Sequence, residues 1–80
     1  MITYTLSDRP DNELFFKTCS LIEKHISEIT KDKLLIDVDG SCFQTYHIPQ
    51  GVIKVSNDFE VYAVYVDSDI DLTNILGVKL

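Results

Sequence analysis

The side chains with chemical reach in this chain are two histidines, two cysteines and a series of carboxylates. Cys42 and His47 have the types of a nucleophile and its base. They stand five residues apart in a stretch that alternates like a strand, so they project to opposite faces and cannot meet. His25, His47 and Cys19 form a second set. On the elements predicted below, all three point into one layer, and zinc accepts such ligands. None has the close spacing of a zinc motif, and small cores commonly hold a hydrogen-bonded histidine, so two structural histidines and an inert thiol are expected.

Asp37-Val38-Asp39-Gly40-Ser41 opens like a calcium loop. The glycine comes too early and no glutamate closes the loop, so a hairpin turn explains the same residues better. The chain has no glycine-rich phosphate loop, no G-x-S-x-G and no H-E-x-x-H. A catalytic activity, a cofactor and a metal are therefore not expected.

The carboxylates are the more informative group. From Val55 to the C-terminus the chain holds Asp58, Glu60, Asp67, Asp69 and Asp71 against a single base, Lys79. Asp67, Asp69 and Asp71 alternate. In an extended chain they line one side at roughly 6–7 Å intervals, a row of charge suited to a basic protein, or a pair of carboxylates suited to a divalent cation. The competing reading gives Asp58 to a turn and Asp69 or Asp71 to a helix cap.

Thirteen acids against seven bases leave a net charge of −6. That disfavours nucleic acid and anionic membrane surfaces as direct ligands and permits a basic protein partner. No basic-then-apolar leader opens the sequence, and no apolar run approaches the roughly 20 residues that span a bilayer. With two cysteines, too few for a disulfide scaffold, the expected location is a reducing cytoplasm.

Eighty residues with an apolar fraction of 45% make one small globular domain, 1–80. Ile2 to Ser7 alternates strictly and predicts a half-buried strand. Pro10 to about Thr30 changes to a helical period. One arc carries Leu14, Phe15, Thr18, Cys19, Leu21, Ile22, His25, Ile26 and Ile29; Phe16 stands alone on the polar side. Strands follow over Leu34–Val38, Ser41–Ile48, Val52–Val55 and Phe59–Val66, and a short helix over Leu72–Leu76 ends at Gly77. The order is strand, helix, four strands, short helix. The fold class is α+β: an antiparallel meander of four to five strands with one long amphipathic helix on one face.

Turn lengths set which residues share a face. Asp39-Gly40 reads as a two-residue type I′ turn, and Pro49-Gln50-Gly51 as a three-residue loop. The helix-covered face then holds Leu34, Ile36, Val38, Phe43, Thr45, His47, Ile53, Val55, Tyr62, Val64 and Val66. The second face holds Leu35, Asp37, Cys42, Gln44, Tyr46, Ile48, Val52, Lys54, Phe59, Val61, Ala63 and Tyr65, mixed but too apolar for water along its whole length. It needs a cover: the C-terminal segment, a second copy or a partner.

The leading expectation is a small, acidic, cytoplasmic protein-interaction module. It would be an inhibitor or immunity-type protein that occludes a basic site on a target such as a nucleic-acid-binding protein. Its contact residues would be Asp67, Asp69, Asp71, Tyr46, Tyr65 and Phe16. The alternative is a homodimer, structural or ligand-enclosing, joined through the second face. A third reading is a small metal-binding or catalytic protein using His25 and His47.

Overall fold

The computed structural model describes residues 1–77. It is α+β: strand β1 (Ile2–Ser7), helix α1 (Asn12–His25), strands β2 (Thr30–Lys31), β3 (Leu35–Ile36), β4 (Cys42–Ile48), β5 (Gly51–Asp58) and β6 (Ala63–Ser68), then the short helix α2 (Thr73–Leu76). The strands form one sheet in the order β1-β6-β5-β4-β2, with β3 also on β4, and every pairing is antiparallel.

Helix α1 starts where its cap requires. The Asp11 carboxylate accepts from the Leu14 N–H at 3.0 Å and satisfies one of the four free amides of the first turn. Asn57 on β5 fixes this end to the sheet: its side chain accepts from the Asp11 N–H and donates to Asn12 Oδ1. The helix stops at His25, earlier than the periodicity to Thr30 suggests, because the chain must extend from Ile26 to bring Thr30 opposite His47. Ile26 and Ile29 still pack against the core from this irregular stretch.

The core lies between α1 and one sheet face. Phe15, Cys19 and Ile22 of the helix meet Tyr4, Cys42, Tyr46, Ile48, Ile53, Val55 and Val66 of the strands, with Leu72 closing one side. Leu72 comes from the C-terminal segment, and its N–H donates to the Tyr4 hydroxyl at 2.8 Å. The C-terminal segment therefore packs on the same side as α1. Among the described residues, no element covers the other face.

Strand β4 has the opposite phase to the one expected. Cys42, Gln44, Tyr46 and Ile48 are buried beneath α1, while Phe43, Thr45 and His47 face outward. Two turn lengths differ by one residue each. At the first, Asp37 pairs with Ser41 through a 2.8 Å hydrogen bond, so the loop is the three residues Val38-Asp39-Gly40. Gly40 at φ 91 takes the left-handed position that ends such a loop. At the second, Ile48 pairs with Gly51, so only Pro49 and Gln50 turn. The two differences have opposite sense. β3 and β5 keep their expected faces and β4 alone is inverted. The inversion buries Tyr46 and Ile48 and leaves His47 in water, which burial energetics favour.

The strand expected over Phe59–Val66 begins only at Ala63 and runs to Ser68, while β5 extends to Asp58. The reason is Asp58, whose carboxylate accepts from the Glu60 and Val61 amides and folds 59–62 into a turn. Of the strand expected over Leu34–Val38 only Leu35–Ile36 forms, and a separate two-residue strand, β2, precedes it. β2 and β3 are separated by a slip of one residue against β4, from Lys31↔Tyr46 to Leu35↔Phe43. The buried Gln44 side chain donates to the Asp32 carbonyl that this bulge leaves free, at 2.6 Å.

Tyr46 anchors the inverted strand. It is fully buried and its hydroxyl donates to the Glu23 carboxylate on α1, which Lys31 also pairs at 3.2 Å. Burial and then the Glu23 hydrogen bond push the Tyr46 phenol far above its ordinary value, so it stays a donor. The same bond holds the Glu23 carboxyl below its ordinary value. Tyr46→Phe is expected to cost about 1–3 kcal/mol in urea unfolding at neutral pH. Because the folded Glu23 is the stronger acid, its contribution is complete above the unfolded value and is lost as pH falls through the folded one. The Phe variant should therefore lose less stability on acidification than the native chain, measured by urea midpoints across the acidic range.

Candidate functional site

Two turns meet at one end of the sheet. In the β3–β4 loop, the Asp37 carboxylate accepts from the Val38 N–H and the Asp39 carboxylate from the Ser41 N–H, at 2.7 and 2.9 Å. The β5–β6 turn is held by Asp58 Oδ1, while Asp58 Oδ2 accepts from the Tyr65 hydroxyl at 3.2 Å. Ser41 joins them: its hydroxyl accepts from the Phe59 N–H at 2.9 Å, and the Phe59 ring lies against Gly40.

This end carries most of the exposed large apolar side chains among the described residues. Eight large hydrophobic side chains are exposed among the described residues, and six belong to β3 and these turns: Leu35, Ile36, Val38, Phe59, Val61 and Tyr62. Val38 is wholly exposed at the tip. Single exposed apolar residues are ordinary, but a cluster marks an interaction surface. Tyr62 strengthens the case. Its φ is 64°, a conformation that costs a non-glycine residue roughly 1–2 kcal/mol. The residue is 58% exposed, so packing within the chain does not offset that cost.

The rim is acidic. Asp37, Asp39, Asp58 and Glu60 lie in the same two turns, and no Lys or Arg occurs between Lys33 and Lys54 or from Val55 to Gly77. The hydrogen bonds from Ser41 hold the Asp39 carboxyl below its ordinary value, so its charge persists into mild acid.

The residues expected to make contacts are scattered. Tyr46 lies in the core, not on the second face. Tyr65 is half-buried on the outward face. Asp67, Asp69 and Asp71 form no line. Asp67 accepts from the Thr3 hydroxyl at 2.6 Å on the outward face. Asp69 accepts from the Val52 N–H at 2.9 Å and clips the start of β5. Asp71 accepts from the Thr73 N–H ahead of α2 and from the Tyr4 hydroxyl. Phe16 is half exposed, edge-on to Phe15 at 5.0 Å.

His25 and His47 are both exposed instead of core-facing, with ring nitrogens engaged by the Leu21 carbonyl and the Asp32 carboxylate. A shallow groove open to solvent lies between the end of α1 and His47, lined by Glu28, Ile29, Thr30 and Pro49. No cluster of three or more metal-ligating side chains occurs among the described residues. Cys19 and Cys42 are buried free thiols whose ionisation burial opposes. No helix among the described residues is long and apolar enough to cross a membrane.

The outward sheet face is more polar than expected, because β4 presents Phe43, Thr45 and His47 there. Lys54 covers Phe43, with Nζ 5.0 Å from the ring centroid. Ser56, between Phe43 and Tyr65 in the cross-strand row, is fully buried, and its Oγ makes no hydrogen bond among the described residues.

Compared with protein-family models, with curated proteins and with solved structures, the chain gives no significant match.

Two substitutions separate surface from scaffold. Tyr62→Gly should leave thermal stability unchanged or raise it by up to about 1 kcal/mol, since glycine accepts the left-handed backbone. Val38→Ser should change it by less than about 0.5 kcal/mol. A large loss from either would show that these side chains serve the fold.

Proposed function

We propose that this chain is a small protein-interaction module without catalytic activity, which inhibits a target by covering a basic site on it. The observation that carries this reading is the apolar end of the sheet, Leu35, Ile36, Val38, Phe59, Val61 and Tyr62, rimmed by Asp37, Asp39, Asp58 and Glu60. Carboxylates around an apolar centre suit a protein whose lysines and arginines surround an apolar depression. A site that binds phosphates on a nucleic-acid-binding protein has that character.

In the mechanism, the net charge of −6 steers the encounter and the rim carboxylates take the places of phosphates. The apolar side chains are then desolvated and slow release. Asp67, Asp69 and Asp71 add to the field, while their carboxylates stay bonded to Thr3, Val52 and Thr73. The protein acts in the cytoplasm, where Cys19 and Cys42 remain reduced.

The test is affinity capture from the native host, followed by kinetics with the purified target. Asp37→Asn with Glu60→Gln should slow association and flatten its salt dependence. Val38→Ser with Val61→Ser should weaken binding about tenfold or more, chiefly through faster dissociation. A target bound equally well by both double variants would refute the assignment of this surface.

A further inference from the structure

The sheet has two edges, and they are built differently. The β2–β3 edge carries the usual protections against strand pairing. Its strands are two residues each, a bulge separates them, and Lys31 and Lys33 flank it. The β1 edge has neither the short strands nor the charges, and its one irregularity lies at its end. β1 is six residues long, Ile2-Thr3-Tyr4-Thr5-Leu6-Ser7, with no charged residue and no proline. Its pairing with β6 is regular from Ile2 to Thr5 and shifts only between Thr5 and Ser7. Its other side pairs with no strand among the described residues.

β1 is also rigidly presented. The Tyr4 hydroxyl accepts from the Leu72 N–H and donates to Asp71 Oδ1, at 2.8 and 3.1 Å, which holds the strand from the core side. Ile2 and Leu6 are only partly buried against the core, and Thr3 and Thr5 are exposed. An ordered strand with alternate N–H and C=O groups pointing outward is a template for another strand.

We propose that β1 pairs antiparallel with β1 of a second copy of this chain, joining two sheets across a two-fold axis. Charge decides the occupant. β1 is neutral, so its own copy meets no like charge on the strand. Asp67 on β6 accepts from Thr3 and Asp71 from Tyr4, and Asp8, which follows the strand, is itself followed by Arg9. At the hairpin end a second copy would instead set Asp37, Asp39, Asp58 and Glu60 against themselves. The two surfaces thus select different occupants: self at β1, a basic partner at the turns. Ile, Thr, Tyr and Leu are strand-favouring or apolar residues whose cross-strand pairs stabilise such a ladder. For a chain this small, strand pairing also covers surface that the domain alone cannot. Antiparallel pairing sends the two hairpin ends to opposite poles of the dimer, where both stay free.

Sedimentation equilibrium of the full chain at submillimolar concentration tests this. The expected species has twice the 9.1 kDa mass of the chain, and association strengthens with added salt, because salt screens two copies of charge −6. A complex with a basic target weakens under the same change, so the two proposals stand or fall separately. Thr3→Lys with Thr5→Lys gives this edge the device that the other edge already has. It should weaken dimerisation about tenfold or more while circular dichroism stays native. If the double variant misfolds, Thr5→Lys alone is used, together with hydrogen exchange of the native chain, in which β1 amides should gain protection with concentration. A native chain that stays monomeric, a folded lysine variant that dimerises as before, or β1 exchange independent of concentration would each overturn the proposal.

Discussion

The phase of β4 is the constraint on which the rest of the structure depends. This strand lies between β5 and the β2–β3 edge, and shifting it by one residue exchanges Cys42, Gln44, Tyr46 and Ile48 for Phe43, Thr45 and His47 beneath α1. In the observed phase Tyr46 reaches Glu23 on the helix, and Gln44 caps the carbonyl freed by the edge bulge. The same phase turns His47 outward to Asp32. The helix, the edge and the outward face are thus tied to one choice, made by a three-residue turn on one side of β4 and a two-residue turn on the other.

That choice also sets where apolar surface remains. With Tyr46 and Ile48 buried, the outward face becomes a mixed surface of threonine, lysine, histidine and partly shielded aromatics, compatible with water. The surplus lies in the two turns at the far end, where Asp37, Asp39 and Asp58 spend carboxylate oxygens on loop amides. These acids have two roles. They build the turns that push Val38 and Val61 into solvent, and they surround those side chains with negative charge. A strained, exposed Tyr62 in the same place fits a surface kept for contact instead of for folding.

Much of the fold was legible in the sequence. Strict alternation in Ile2–Ser7, the helical arc around Phe15, Cys19 and Ile22, and Gly77 after the last short helix all stand where the pattern puts them. The faces of β3 and β5 were also readable, although only because two turn-length errors cancelled. Asp39-Gly40 looks like the centre of a two-residue turn, yet Gly40 closes a three-residue one, and local residue types do not separate these cases. The surface was less legible for a related reason. Phe59-Glu60-Val61-Tyr62 reads as strand by composition, and its real state depends on the Asp58 carboxylate capping the next amides. Asn57-Asp58 signalled that turn, but not its extent. Asp67, Asp69 and Asp71 drew attention by alternation, and the structure bonds each to a different element.

The most direct measurement of the central claim is site-specific photo-crosslinking in the native host, with a photoreactive residue placed in turn at Val38, Val61, Thr45 and Asp67. The account predicts crosslinks from Val38 and Val61 to one basic protein, lost in high salt, with Thr45 and Asp67 silent toward it. Crosslinks to that protein from Thr45 and Asp67, with none from Val38 or Val61, would contradict it.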